Sequence, residues 1–88
     1  MGLYSSWLLI NNKITLEWMY ARILPNATSG IVTYPKALTT KFFNGQITHQ
    51  GGGTYFYTIE STGLTSLVQK SSNSWQDGLL QWIFIIGF

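Results

Sequence analysis

Over residues 13–20 the chain alternates strictly. Ile14, Leu16, Trp18 and Tyr20 are interleaved with Lys13, Thr15, Glu17 and Met19. A period of two is the period of a strand. The pattern predicts a half-buried strand whose apolar, core-facing side carries the even positions. A short apolar run, Trp7-Leu8-Leu9-Ile10, precedes it, and Asn11-Asn12 stands between the two. Asparagine tolerates the left-handed backbone that a tight hairpin demands, so residues 6–22 read as a β-hairpin.

The same grammar continues. Residues 25–30 (PNATSG) form a turn cluster. Residues 31–34 read as a short strand stopped by Pro35, which cannot donate to a ladder. The segment 36–40 carries no clear pattern. Residues 41–50 alternate again, with Phe43, Gly45, Ile47 and His49 on one face and Phe42, Asn44, Gln46 and Thr48 on the other. Gly51-Gly52-Gly53 is a flexible loop. Residues 54–60 (TYFYTIE) have the β-branched and aromatic content of a strand. A turn at 61–63, a strand at 64–70 and a polar loop at 71–78 follow, and the chain closes on a strand over 79–88. About seven strands with turn signals every 8–12 residues, and no helical period, predict an all-β fold: a small antiparallel β-sandwich forming one domain over residues 1–88.

The closing segment, LLQWIFIIGF, is apolar at nearly every position. A segment of that kind is not stable in water. It predicts a strand buried on both faces, or an element packed against another copy of the chain. Leu80, Trp82, Phe84, Ile86 and Phe88 also resemble the closing strand of a bacterial outer-membrane β-barrel. Such a strand alternates with a polar lumen side, whereas Ile83 and Ile85 make the second face apolar too. The barrel is therefore the lesser alternative, and no membrane insertion is expected.

Composition sharpens this picture. A monomer of this mass exposes roughly 5,000 Å², and only eight charged side chains are available to cover it. Charged residues make up 9% of the chain and aromatics 16%, so large uncharged patches must face outward. Patches of that kind mark interfaces, and a homo-oligomer is expected. The net charge of +2 comes with no basic cluster, which argues against nucleic acid as a partner. There is no cysteine, hence no disulfide framework or thiolate metal site. The first residues lack the basic and apolar regions of a secretory signal. Met1-Gly2 reads as an added start on a piece of a longer chain.

Little points to catalysis. The three carboxylates, Glu17, Glu60 and Asp77, fall on three different segments, and nothing in their spacing suggests the pair that glycoside hydrolysis needs. His49 is the only histidine. It excludes an intrachain triad, although three copies on a threefold axis would bring three imidazoles together. Asn26-Ala27-Thr28 fits a glycosylation acceptor but reads as a plain turn. No enzyme activity, cofactor or metal is expected. The better candidates are loop aromatics beside amide side chains, which suit stacking on sugars and polar recognition. One group is Trp75 with Asn73, Gln76 and Asp77. The other is His49, Gln50 and Tyr55 around the three glycines. Two readings of Trp75 stay open, a binding residue or an anchor of its own loop. Tyr55 and Tyr57 also suit cross-strand packing.

Three segments in order carry a resemblance: NNKITLEW at 11–18, GIVTYPKAL at 30–38 and WIFIIGF at 82–88. Together they resemble the C-terminal tip domain of bacteriophage tail fibre proteins, with the closing strand at the end of the polypeptide. Met19 follows Trp18 where that family commonly has glycine. The resemblance implies a homotrimer of small β-sandwiches at the distal end of a virion tail fibre. It implies a receptor-binding role in host adsorption, with a bacterial surface saccharide or an outer-membrane protein as the receptor. A structural trimerisation cap, with recognition elsewhere, is the alternative within the same family.

Overall fold

The computed structural model describes residues 5–88; Met1 and Gly2, read above as an added start, lie outside them. Seven strands form: β1 (Ser5–Ile10), β2 (Ile14–Ile23), β3 (Ser29–Thr33), β4 (Phe42–Gln50), β5 (Tyr57–Thr62), β6 (Ser66–Ser71) and β7 (Leu79–Gly87). They make two open antiparallel sheets, one ordered β1-β2-β7-β4 (sheet A) and one ordered β3-β6-β5 (sheet B). The expected all-β sandwich is present, and two separate sheets replace the closed ring of the barrel alternative. At the first hairpin, Asn11 and Asn12 take φ of 52° and 55°, the left-handed conformation for which asparagine is suited.

Sheet B lies over one side of sheet A. Between them sit Met19, Ala21, Val32, Tyr34, Leu38, Leu67, Ile83 and Ile85, with Phe42, Ile47 and Ile59 at the margin. Three strands cover four, and β1 is left over: every one of its residues is exposed. The unassigned segment 36–40 closes the end of the sandwich remote from the β4–β5 loop. Leu38 is buried there, its N–H donating to the Leu64 carbonyl at 2.7 Å. Nearby, the Lys36 N–H donates to Glu17 Oε1 at 2.9 Å. The Tyr34 hydroxyl donates to the Gly63 carbonyl at 3.1 Å, and burial pushes its pKa up to about 12.

Three expectations need correction. On β2 the core-facing side carries the odd positions, Thr15, Glu17, Met19, Ala21 and Ile23, all buried. The apolar even positions point away from sheet B. The alternation was real, but burial follows the position of the second sheet rather than side-chain polarity. On β4 the register shifts between Phe42 and Asn44. A bulge adds one residue and exchanges faces beyond it, so Phe42 stacks with Tyr34 at 6.4 Å while Phe43 is exposed beside Phe88. Finally, β5 begins at Tyr57 and not at Thr54. Phe56 bonds instead to Ser72 of the next loop, through its carbonyl at 2.8 Å and its N–H at 3.1 Å. At the other end a register shift between Ile59 and Ser61 keeps Ser61 and Thr62 in the strand.

The closing segment becomes β7, hydrogen-bonded between β2 and β4 at the middle of sheet A. Its odd positions are buried in the core, while Trp82 and Phe84 on the other face remain 40% and 42% exposed. Within one chain the strand is therefore buried on one face only.

Candidate functional site

Strands β4 and β7 are antiparallel neighbours, with Gln50 opposite Leu80. The loop leaving β4 and the loop entering β7 must therefore lie side by side. They enclose a cleft of about 400 Å³, lined by His49, Gln50, Gly51, Gly52, Gly53, Tyr55, Trp75, Gly78, Leu79 and Leu80. Four residues singled out in the sequence thus come together: His49, Gln50, Tyr55 and Trp75. Three do not line the cleft. Asn73, Gln76 and Asp77 are exposed along the 72–78 loop, where the Asn73 carbonyl accepts from the Ser71 hydroxyl at 2.6 Å.

His49 holds the glycine loop in place. Its Nε2 lies 2.9 Å from the Gly52 carbonyl and its Nδ1 lies 2.6 Å from the Tyr57 hydroxyl. A carbonyl only accepts, so in the neutral ring Nε2 carries the proton and Nδ1 accepts from Tyr57. Both nitrogens are engaged within the chain. Tyr55 packs against the same imidazole at 4.7 Å between centroids. Gly51 and Gly53 have φ of +123° and +82°, and a Cβ on Gly53 would sit 2.9 Å from the Tyr55 ring. Glycine here lets the backbone pass flat against the aromatic wall.

The opposite wall is fixed by a turn. The Trp75 carbonyl accepts from Asn26 N–H at 2.9 Å and from Gly78 N–H at 3.0 Å. Gly78 has φ of +81°, and a Cβ there would meet the Ile23 carbonyl at 2.8 Å. The Trp75 backbone is thus the anchor of its loop, while the indole stays 47% exposed in the cleft. The anchoring is done by the Trp75 backbone and not by its ring. Gln50 Oε1 accepts from the Trp82 indole at 3.2 Å.

Behind the cleft the core turns polar. Gln69 Nε2 donates to Gln81 Oε1 at 2.8 Å across the two sheets, leaving Gln69 Oε1 and Gln81 Nε2 without partners. Burial raises the Tyr57 hydroxyl above its ordinary range, opposed by the adjacent Gln81 amide. That amide lies close to the phenol but short of hydrogen-bond geometry. Sequence reasoning passed over Gln69 and Gln81, although a lone glutamine inside LLQWIFIIG was the available signal.

A second feature runs the length of sheet A and adjoins the cleft. The face of sheet A turned away from sheet B carries Leu8, Ile10, Leu16, Trp18, Tyr20, Trp82, Phe84 and Ile86, brought side by side by the β1–β2 and β2–β7 registers. Tyr20 and Trp82 pack at 4.7 Å, and Trp18 remains 37% exposed. Leu80 and Gln50 lie on the same face, so the apolar surface runs up to the cleft.

No family model matches the sequence, and no curated protein matches it. Solved structures do resemble it in fold. An N-truncated R2-type pyocin tail fibre superposes with a TM-score of 0.77 at 13% identity, over 100% of this chain and 38% of that one. A C-terminal portion of the R1 pyocin fibre of P. aeruginosa superposes with a TM-score of 0.69 at 18% identity, over 100% of this chain and 28% of that one. The chain folds as a domain of these tail fibres does, and it spans well under half the length of either.

Proposed function

We propose that the chain is a tail-fibre domain at the distal tip of a phage-type particle, which binds a saccharide of the bacterial surface during host adsorption. The observation that carries this is the cleft. Two loops fixed by the β4–β7 pairing bring Trp75, Tyr55, His49 and Gln50 around one concavity. Rigid aromatic faces with a few polar groups are the usual make-up of a small-ligand site. The fold shared with pyocin tail fibres and the motif resemblance support the setting. Binding, not catalysis, is the activity proposed, since both His49 nitrogens are engaged internally.

The proposed assembly is a homotrimer joined through the outer face of sheet A. The exposed aromatics there support burial against copies of the chain, and the resemblance supplies the number three. Single sites of this size bind weakly, and repetition over three tips raises avidity by about 10²–10⁴. A trimerisation cap with recognition elsewhere is the second reading, favoured by the same apolar face.

Adsorption separates the two. Trp75→Ala is expected to reduce binding of the assembled domain to host cells at least tenfold with an unchanged melting temperature. Exchange of residues 72–77 for those of a fibre with another host is expected to change host range. Unaltered adsorption in both variants selects the cap.

A further inference from the structure

We infer that the cleft selects a neutral sugar ring and discriminates against sugars bearing phosphate, sulfate or carboxylate. The inference rests on the saccharide reading above and narrows it. No lysine, arginine, aspartate or glutamate lines the cleft. Besides His49, the polar groups of the lining residues are the Gln50 amide, whose Oε1 is already turned to Trp82, the Tyr55 hydroxyl, the Trp75 indole N–H, and the N–H groups of Gly52 and Gly53. Those two N–H groups make no backbone hydrogen bond among the described residues. Hydroxyl groups both donate and accept, so a neutral ring can satisfy such a set while its C–H face lies on Trp75 or Tyr55.

An anionic substituent meets hydrogen-bond donors here but no lysine or arginine among the lining residues. An anion gives up part of its hydration on entering such a site with no cation to replace it. The cations near this end flank the cleft without lining it. Arg22 lies on the outer face of sheet A opposite Leu80, and Lys70 is exposed on sheet B, paired with Ser29 and Thr58. His49 offers no free ring nitrogen to a ligand, because Nε2 is engaged with the Gly52 carbonyl and Nδ1 with the Tyr57 hydroxyl. The titratable groups in contact with His49 are the two tyrosines, Tyr55 and Tyr57.

The test is titration of the full chain, in its assembled form, followed by tryptophan fluorescence and saturation-transfer NMR. The probes are methyl pyranosides of glucose, galactose, mannose, rhamnose and N-acetylglucosamine, beside hexose 6-phosphates and hexuronates. We expect at least one neutral glycoside to bind at least tenfold more tightly than its charged counterpart. Its Kd should change less than twofold between 50 and 500 mM NaCl, and Gln50→Ala should weaken it about fivefold without lowering the melting temperature. A charged sugar that binds as well or better, with a salt dependence that Arg22→Ala or Lys70→Ala removes, overturns this inference and leaves the saccharide reading standing. Absence of binding by every sugar overturns both.

Discussion

The two faces of sheet A invert the usual arrangement of a small soluble domain. The inner face, under sheet B, buries Thr15, Glu17 and Gln81 together with Met19, Ile83 and Ile85. The outer face carries Leu16, Trp18, Tyr20, Trp82, Phe84 and Ile86, several of them more than a third exposed. Mixed polarity inside is met only in part: Glu17 Oε1 accepts from the Lys36 N–H and Gln81 Oε1 from Gln69, while Glu17 Oε2, Gln69 Oε1 and Gln81 Nε2 have no partner among the described residues. Apolar aromatics are retained outside although water is an unfavourable neighbour for them. The difference teaches that the inner face completes the fold of one chain, whereas the outer face is left as an apolar surface, the one proposed above to join copies of the chain. The uncovered strand β1 extends that surface beyond the sandwich, with Lys36 Nζ lying 4.8 Å over the Trp7 ring on its inner side.

That contrast can be broken by substitution. The largest effect is expected from the inner face: Ile85→Ala, at a side chain with 0% exposure, should cost about 2–5 kcal/mol. Loss of a cooperative thermal transition, or a fall of many degrees in its midpoint, reads it. Gly78→Ala comes next, at about 1–3 kcal/mol for strain at a left-handed position. It should also move the Trp75 indole, seen as a shift in its fluorescence. Phe84→Asp on the outer face should act differently, leaving the strand content measured by circular dichroism intact while the assembly falls to single chains of 9.9 kDa. If Phe84→Asp unfolds the chain as Ile85→Ala does, the two faces are not distinct in role.

The smallest effect concerns Glu17. Its carboxyl is pushed above the ordinary range, chiefly by burial, with the Lys36 N–H and the Lys36 charge opposing that. The folded chain therefore holds this proton more tightly than the unfolded chain does. The contribution to stability is fullest at low pH and is lost as pH rises through the raised range. Glu17→Gln should flatten this dependence and raise stability at neutral pH by about 1 kcal/mol, the scale for a buried polar group short of partners. Denaturant midpoints at pH 4 and pH 7 check it.

Much of the fold was legible because strand period and turn chemistry are local. Asn11-Asn12, Pro35, the three glycines and the polar 71–78 stretch each placed a boundary without knowledge of the rest. The face assignment of β2 was not legible. Ile14, Leu16, Trp18 and Tyr20 are the more apolar set, and hydropathy alone sends the apolar set to the core. Only the placement of sheet B shows that the core already receives Met19, Ala21 and Ile23 from the other side. The bulge at Phe42–Asn44 was hidden for a related reason, since one added residue leaves composition unchanged and reverses the faces. At the cleft, loop residues were recognisable as stacking and amide groups. Their convergence depends on β4 pairing with β7, a contact between segments some thirty residues apart in sequence. Gln76 and Asp77 are the two central residues of the turn closed between Trp75 and Gly78, and Asn73 precedes it; all three are exposed, so proximity in sequence did not carry them into the cleft.

The account turns on the outer face of sheet A being buried between copies of the chain. Sedimentation equilibrium of the purified domain at micromolar concentration tests this most directly. The expected result is a single species of three times the 9.9 kDa chain mass, reduced to one chain by Phe84→Asp. A stable, folded monomer of the unaltered sequence, with Trp82 and Phe84 left in water, contradicts it.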